Sequence, residues 1–330
     1  MEFVKEFHPQ AVLRNPHLMT IAAAFWPRKF SRLSSGVPRF FEVEPGTQMR
    51  GDCHWQERPI EHATIVLVHG LEGSSESNYM FGTAEKAFAA GFNVVRLNQR
   101  NCGGTEKLTP TLYHSGRSGD IRSVILELVE KDGLREIFAV GFSMGGNLVL
   151  KMAGEIGDAP PKELRAIVAV APSLDLAACA DAIAEPRNFL YEWHFVRGLK
   201  RRMRYKASLF PGKFPLDGLG RVRTVREFDD VITARFCGFL DAVDYYAQSS
   251  ASRTISGIRR PTLILTAEDD PVVPFASFDK PAIRENTYIT FLAPRHGGHC
   301  AFISDNPADA RFWAESRIVE FCREQMKALS

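Results

Sequence analysis

Paired cysteines, long apolar runs and an excess of either charge are all missing from this sequence, and each absence removes a class of function. The six cysteines, Cys53, Cys102, Cys179, Cys237, Cys300 and Cys322, stand singly. They form no C-x-x-C pair of the zinc-ligating kind and are too sparse for a disulfide scaffold, so reduced, mostly buried thiols are expected. The longest apolar stretch near the N-terminus, Ile21 to Trp26, is too short for a signal-peptide core or a membrane span. A soluble, cytoplasmic chain is expected. Forty-one Lys and Arg against thirty-nine Asp and Glu leave a formal charge of +2, too little for the broad positive field of a nucleic-acid binder. No G-x-G-x-x-G follows the first buried strand and no G-x-x-x-x-G-K-[ST] occurs, which removes dinucleotide binding and the phosphate cradle. Cys53-His54 and the His296/His299 pair lack further ligands at usable spacing, so neither a metal nor any other cofactor is expected.

What is present is periodicity. Thr64 to Val68 is a continuous apolar, β-branched run, as a strand buried on both faces requires. Similar runs recur at Phe92 to Leu97, Glu136 to Val140, Ala166 to Val170, Thr262 to Leu265 and Thr287 to Leu292. Between several of them lie stretches with helical spacing: Ala84 to Ala90, Asp120 to Glu130, Asn147 to Glu155 and Ala308 to Phe321. That alternation predicts an α/β chain with a mostly parallel, doubly wound sheet. Phe40 to Val43 and Thr47 to His54, around Pro45-Gly46, predict a leading antiparallel hairpin. After Ala171-Pro172 the rhythm stops for some ninety residues that read as helical throughout, including Arg187 to Met203, Val225 to Phe236 and Phe239 to Ser250. We expect one domain over residues 1–330, with a helical cap inserted at about residues 175–258 over the carboxyl ends of the strands.

Gly141-Phe142-Ser143-Met144-Gly145 matches the G-x-S-x-G nucleophile elbow and stands where that motif must, between a strand and a helix. A serine hydroxyl is a poor nucleophile until a base takes its proton, so a histidine and an orienting carboxylate must follow in the order Ser, acid, His. The strand Thr262 to Leu265 runs into an acidic loop offering Asp270, with Asp269 as its competitor. The final strand leads to Arg295-His296-Gly297-Gly298-His299. His299 is the expected base, because the small residues before it let the loop fold over the elbow, while His296 has a structural alternative. The oxyanion hole is expected from the backbone N–H groups of Met144 and of Leu71, in the His69-Gly70-Leu71-Glu72-Gly73 turn after the first buried strand.

These blocks, together with Arg14-Asn15-Pro16-His17-Leu18, Leu112-Tyr113-His114-Ser115-Gly116, Glu227-Phe228-Asp229-Asp230 and Asp244-Tyr245-Tyr246, make the sequence resemble the YheT-like branch of the α/β-hydrolases, also called the AB-hydrolase-4 family. The resemblance spans most of the chain. It departs at Met19, where a glutamine is expected, and at Asn101, where a glycine is usual before Cys102. It implies the α/β-hydrolase fold, Ser143, Asp270 and His299 as the triad, and hydrolysis of carboxylic esters.

The substrate expected is therefore a small-molecule ester, with acyl lipids in range. Acyl transfer by the same triad is the alternative within chemistry, and a non-catalytic binding protein of the same fold is the alternative outside it. The run Arg197 to Lys206 carries Arg197, Lys200, Arg201, Arg202, Arg204 and Lys206 without an acid, beside the apolar Phe189, Leu190, Tyr191, Trp193, Phe195 and Val196. It suggests a greasy surface toward the site, a basic outer rim, and peripheral contact with a membrane through that rim.

Overall fold

The computed structural model describes residues 6–30, 33–306 and 310–327. Eight strands form a single sheet: β1 (Val37–Glu44), β2 (Thr47–His54), β3 (Thr64–Val68), β4 (Asn93–Asn98), β5 (Ile137–Phe142), β6 (Leu164–Val170), β7 (Thr262–Leu265) and β8 (Ile289–Leu292). Their spatial order is β1-β2-β4-β3-β5-β6-β7-β8. The β1/β2 hairpin is antiparallel, β2 also runs antiparallel to β4, and every pairing from β4 to β8 is parallel. Successive side chains of a strand point to opposite faces, so in β3 Val66 and Val68 join one apolar cluster while Ile65 and Leu67 join another. The two clusters are the two halves of the core, one on each face of the sheet.

The helices are α1 (Pro16–Phe25), α2 (Asn78–Ala89), α3 (Ser118–Glu130), α4 (Met144–Ile156), α5 (Leu176–Ile183), α6 (Phe189–Leu209), α7 (Val225–Phe228), α8 (Arg235–Cys237), α9 (Ala242–Ser249), α10 (Pro281–Arg284) and α11 (Trp313–Lys327). A π-helical turn, Asp229–Ala234, joins α7 to α8. The β2, β3 and β7 boundaries agree with those read from the sequence, and the other strands differ from their readings by one to three residues at an end. Helix α2 begins six residues before the expected Ala84. Gly82 and Thr83 disguise its period, yet Gly82 is fixed by packing: a Cβ there would meet Arg28 Nη2 at 2.0 Å and Glu315 Oε1 at 2.3 Å. The expected helix at Ala308 to Phe321 starts instead at Trp313, because Phe312 pairs with Ile303 in an antiparallel bridge. Its first two expected residues lie outside the described ones. Residues 210–224 were expected to be helical and are turns and loop. Pro211, Gly212, Pro215, Gly218 and Gly220 account for the break, with Gly212 and Gly218 at φ +78° and +82°.

Candidate active site

Ser143 stands between the end of β5 and the start of α4 with φ +52° and ψ −117°. A non-glycine residue holds such a backbone only where its surroundings impose it. Here they do. A Cβ on Gly141 would meet Gly145 O at 2.1 Å, and one on Gly145 would meet Val68 O at 2.3 Å, so the turn closes only because both positions are glycine. The Ser143 N–H donates to Val170 O of the neighbouring strand at 2.9 Å. The side chain is thereby lifted off the strand end.

Opposite it, the loop after β8 presents His299, whose Nε2 lies 2.9 Å from Ser143 Oγ. On its other side Nδ1 lies 2.8 Å from Asp270 Oδ2. The second oxygen of that carboxylate accepts the Val272 and Val273 N–H groups at 2.8 and 3.0 Å, so Asp270 is fully buried with its charge hydrogen-bonded. A seryl hydroxyl needs an acceptor at Nε2, which leaves the imidazole proton on Nδ1, donated to Asp270. His296 and Asp269 form a separate pair: His296 Nδ1 lies 3.1 Å from Asp269 Oδ2, and Asp269 Oδ1 accepts the Gly298 N–H at 3.0 Å. That second pair shapes the loop and does not reach Ser143.

Met144 is the first residue of α4, so its N–H is one of those with no acceptor inside the helix. Leu71 lies in the turn after β3. Both border the same cavity as Ser143, a space of about 100 Å³ walled largely by apolar side chains such as Leu112, Leu176, Phe195, Leu199 and Met203. The turn that carries Leu71 is fixed at Gly70, whose N–H donates to Tyr79 Oη at 3.0 Å. Buried His69 holds the same residue from the other side. Its Nε2 accepts the Gln99 N–H at 3.1 Å, so its Nδ1 is the protonated nitrogen and donates to Gly70 O at 2.7 Å. Burial pulls its pKa down to about 4, keeping the ring neutral.

Several residues at the site were not legible beforehand. The His299 N–H donates to Thr20 Oγ1 of α1 at 2.9 Å, and Gly298, at φ +55°, packs so tightly on α1 that a Cβ would come within 2.8 Å of Pro16 O. His17 stacks on Tyr191 of α6 and shares a 3.2 Å hydrogen bond with its hydroxyl. The Arg14 to Leu18 motif had marked this segment without giving its job. Ser173 Oγ lies 3.5 Å from Ser143 Oγ. Asn147 donates to Ser115 O and Ser249 O and accepts the Ala251 N–H, so α4, the Leu112 to Gly116 motif and the chain after α9 are knotted at one buried amide. Asn101 holds φ +63°, a backbone that explains why a glycine suits this place and why asparagine is tolerated there.

The basic run of α6 is not the outer rim expected of it. Lys206 is buried and donates to Glu106 O and Thr109 O, Arg202 turns inward onto Glu72, and Lys200 binds the carbonyls of Gly220 and Val222. Only Arg197, Arg201 and Arg204 are exposed. The apolar neighbours divide too: Phe195 borders the cavity, while Phe189, Leu190 and Trp193 face outward. Among the described residues no group of three or more His, Cys, Asp or Glu is placed to hold a metal ion, and no helix is long and apolar enough to cross a membrane.

A family model described as alpha/beta hydrolase fold matches residues 63–306. Escherichia coli YheT, named as a candidate esterase, is 33% identical over 330 residues, covering 98% of this chain and 95% of that protein. The chain belongs to the α/β-hydrolase family, in its YheT-like branch. This α/β hydrolase is also 28% identical to a Saccharomyces cerevisiae protein named medium-chain fatty acid ethyl ester synthase/esterase 2, over 87% of this chain and 67% of that one. Its fold resembles that of the Pyrococcus furiosus esterase Pf2001, with a TM-score of 0.58 and 15% identity over 90% of this chain and 98% of that one.

Proposed function

We propose that this α/β hydrolase cleaves carboxylic esters through an acyl-enzyme on Ser143. The observation that carries the proposal is the unbroken hydrogen-bonded line from Ser143 Oγ through His299 to a buried, doubly held Asp270, opening on an apolar cavity. His299 Nε2 takes the seryl proton as Oγ attacks the ester carbonyl, and the Leu71 and Met144 N–H groups receive the oxyanion. The imidazolium then protonates the leaving alkoxide. Water enters, gives a proton to His299 as it attacks the acyl carbonyl, and His299 returns that proton to Ser143 Oγ as the acyl–oxygen bond breaks, so that acid, alcohol and free Ser143 result. Asp270 keeps the imidazole in the tautomer that begins the cycle. No step calls for a cofactor. The helices between β6 and β7 act as the cap: α5 and α6 supply Leu176, Phe195 and Leu199 to the wall, which favours short to medium acyl chains.

The same acyl-enzyme would pass its acyl group to an alcohol where water is excluded, and the yeast relative's synthase/esterase name favours testing for it. The experiment is a p-nitrophenyl ester series of increasing acyl length with the purified protein, with and without ethanol, beside labelling by a fluorophosphonate probe. Ester turnover and labelling that both vanish in Ser143→Ala support the proposal. Wild-type protein that neither turns over esters nor labels would leave a binding protein of this fold. New ethyl esters in the ethanol arm would mark acyl transfer.

A further inference from the structure

Leu71 lies between two anchors, and one of them reaches across to α6. On one side Gly70 is held by Tyr79 and His69. On the other, Glu72 holds φ +57°, a left-handed backbone that a residue with a Cβ adopts under external constraint. The constraint comes from its carboxylate: Oε1 accepts the Tyr113 hydroxyl at 2.9 Å and Arg202 Nε at 2.8 Å. Oε2 nests against α6 at Gly198, where a Cβ would stand 2.5 Å away. Arg202 also donates from Nη1 to Asn101 O, and its guanidinium sits 5.7 Å from the Tyr113 ring centre. The Glu72 and Arg202 side chains are 6% and 16% exposed, which takes this pair out of the weak, solvent-screened class of surface ion pairs. Gly198 and Arg202 are both on α6, so the helix grips the residue next to the Leu71 amide.

We propose that Glu72, Arg202 and Tyr113 are positioning residues that set the Leu71 N–H on the oxyanion site, making the hole complete only while α6 is docked on the turn. The inference rests on Ser143 as nucleophile and Leu71 as oxyanion donor. Removing a donor outright costs about 10²–10³ in turnover, so a donor that stays but drifts should cost less, about 10–100-fold. Drift of an oxyanion donor weakens the transition state and leaves ground-state binding nearly alone, so the loss belongs in kcat.

The test measures kcat and KM on p-nitrophenyl butyrate, inhibition by a trifluoromethyl ketone with the same acyl chain, and the melting temperature, for wild type and variants. Glu72→Ala and Arg202→Ala should lower kcat about 10–100-fold with KM within about threefold, and weaken the ketone, which binds as an oxyanion, by a matching factor. Glu72→Gln keeps an acceptor for both partners and should recover most of the rate. Should the alanine variants fail to fold, Tyr113→Phe and Arg202→Lys preserve the packing and should show a smaller but parallel loss of kcat and ketone affinity. Folded variants with wild-type kcat and ketone affinity, or with a loss confined to KM, overturn the inference. Wild-type turnover that survives in Ser143→Ala removes the underlying reading as well, which tells the two failures apart.

Discussion

Ser143 contributes little packing from its raised turn, so Ser143→Ala should keep the melting temperature while lowering ester turnover by about 10⁴–10⁶, with fluorophosphonate labelling lost. The two histidines of the last loop should separate just as sharply. His299→Ala removes the imidazole hydrogen-bonded to Ser143 and should match the serine variant, whereas His296→Ala removes a ring bonded to Asp269 and should stay within about tenfold of wild type. Asp270→Asn should lower kcat by about 10⁴, since an amide no longer fixes the tautomer, with Asp269→Asn far milder. The reverse ranking of the acids, read from kcat on one ester, would move the orienting role to Asp269. At this scale Ser143, Asp270 and His299 were legible because the chemistry demands three residue types in a fixed order at strand ends. Thr20, His69 and Glu72 were not. Their roles arise from hydrogen bonds between residues whose types recur everywhere in the chain, and no periodicity points at them.

Strands buried on both faces announce themselves by composition, which is why β3 and β7 could be read to the residue. The helices between β6 and β7 announce only that they are helices. Which face of α6 turns inward depends on Glu72, Asn101 and Glu106, 100 to 130 residues earlier in the chain, so the basic run looked uniform in sequence and is divided in space. Neighbouring arginines should therefore respond differently: Arg201→Ala, on the exposed face, should leave kcat near wild type, and Arg202→Ala should not. On α4 the buried Asn147 amide serves three partners from two other segments. Asn147→Ala leaves those groups without a partner and should cost about 2–4 kcal/mol by urea denaturation, with the slope of the transition unchanged. Cα positions of the elbow would survive; the seam between α4 and the chain after α9 would loosen first.

Across the whole molecule, three imidazoles are kept neutral by burial: His54 and His69 near 4, and His114 near 3. Their unfolded pKa is about 6.5, so between pH 6.5 and 4 the unfolded chain binds protons that the folded one refuses, and stability is full above that window and falls as pH drops through it. Asp229 acts in the opposite sense, since burial raises it to about 6 and the folded state takes up that one proton first. Burial raises Asp120 and Glu192 as well, while hydrogen bonds lower Glu44, Glu127 and Asp244, so the carboxyls oppose one another, the three imidazoles leave a net loss, and the urea midpoint should decline from pH 6.5 to 4.5. A midpoint that rises over that range would show that the buried histidines are hydrated. The bond from His299 N–H to Thr20 Oγ1 joins residues 279 apart, and the bond to Ser143 joins residues 156 apart. A ribosome reading these residues in order thus makes the serine 156 residues before the base proposed to arm it, and that base then rests on a helix made earlier than either. Until residue 299 is made and that loop has closed on α1, the proposed nucleophile is an ordinary, unactivated hydroxyl.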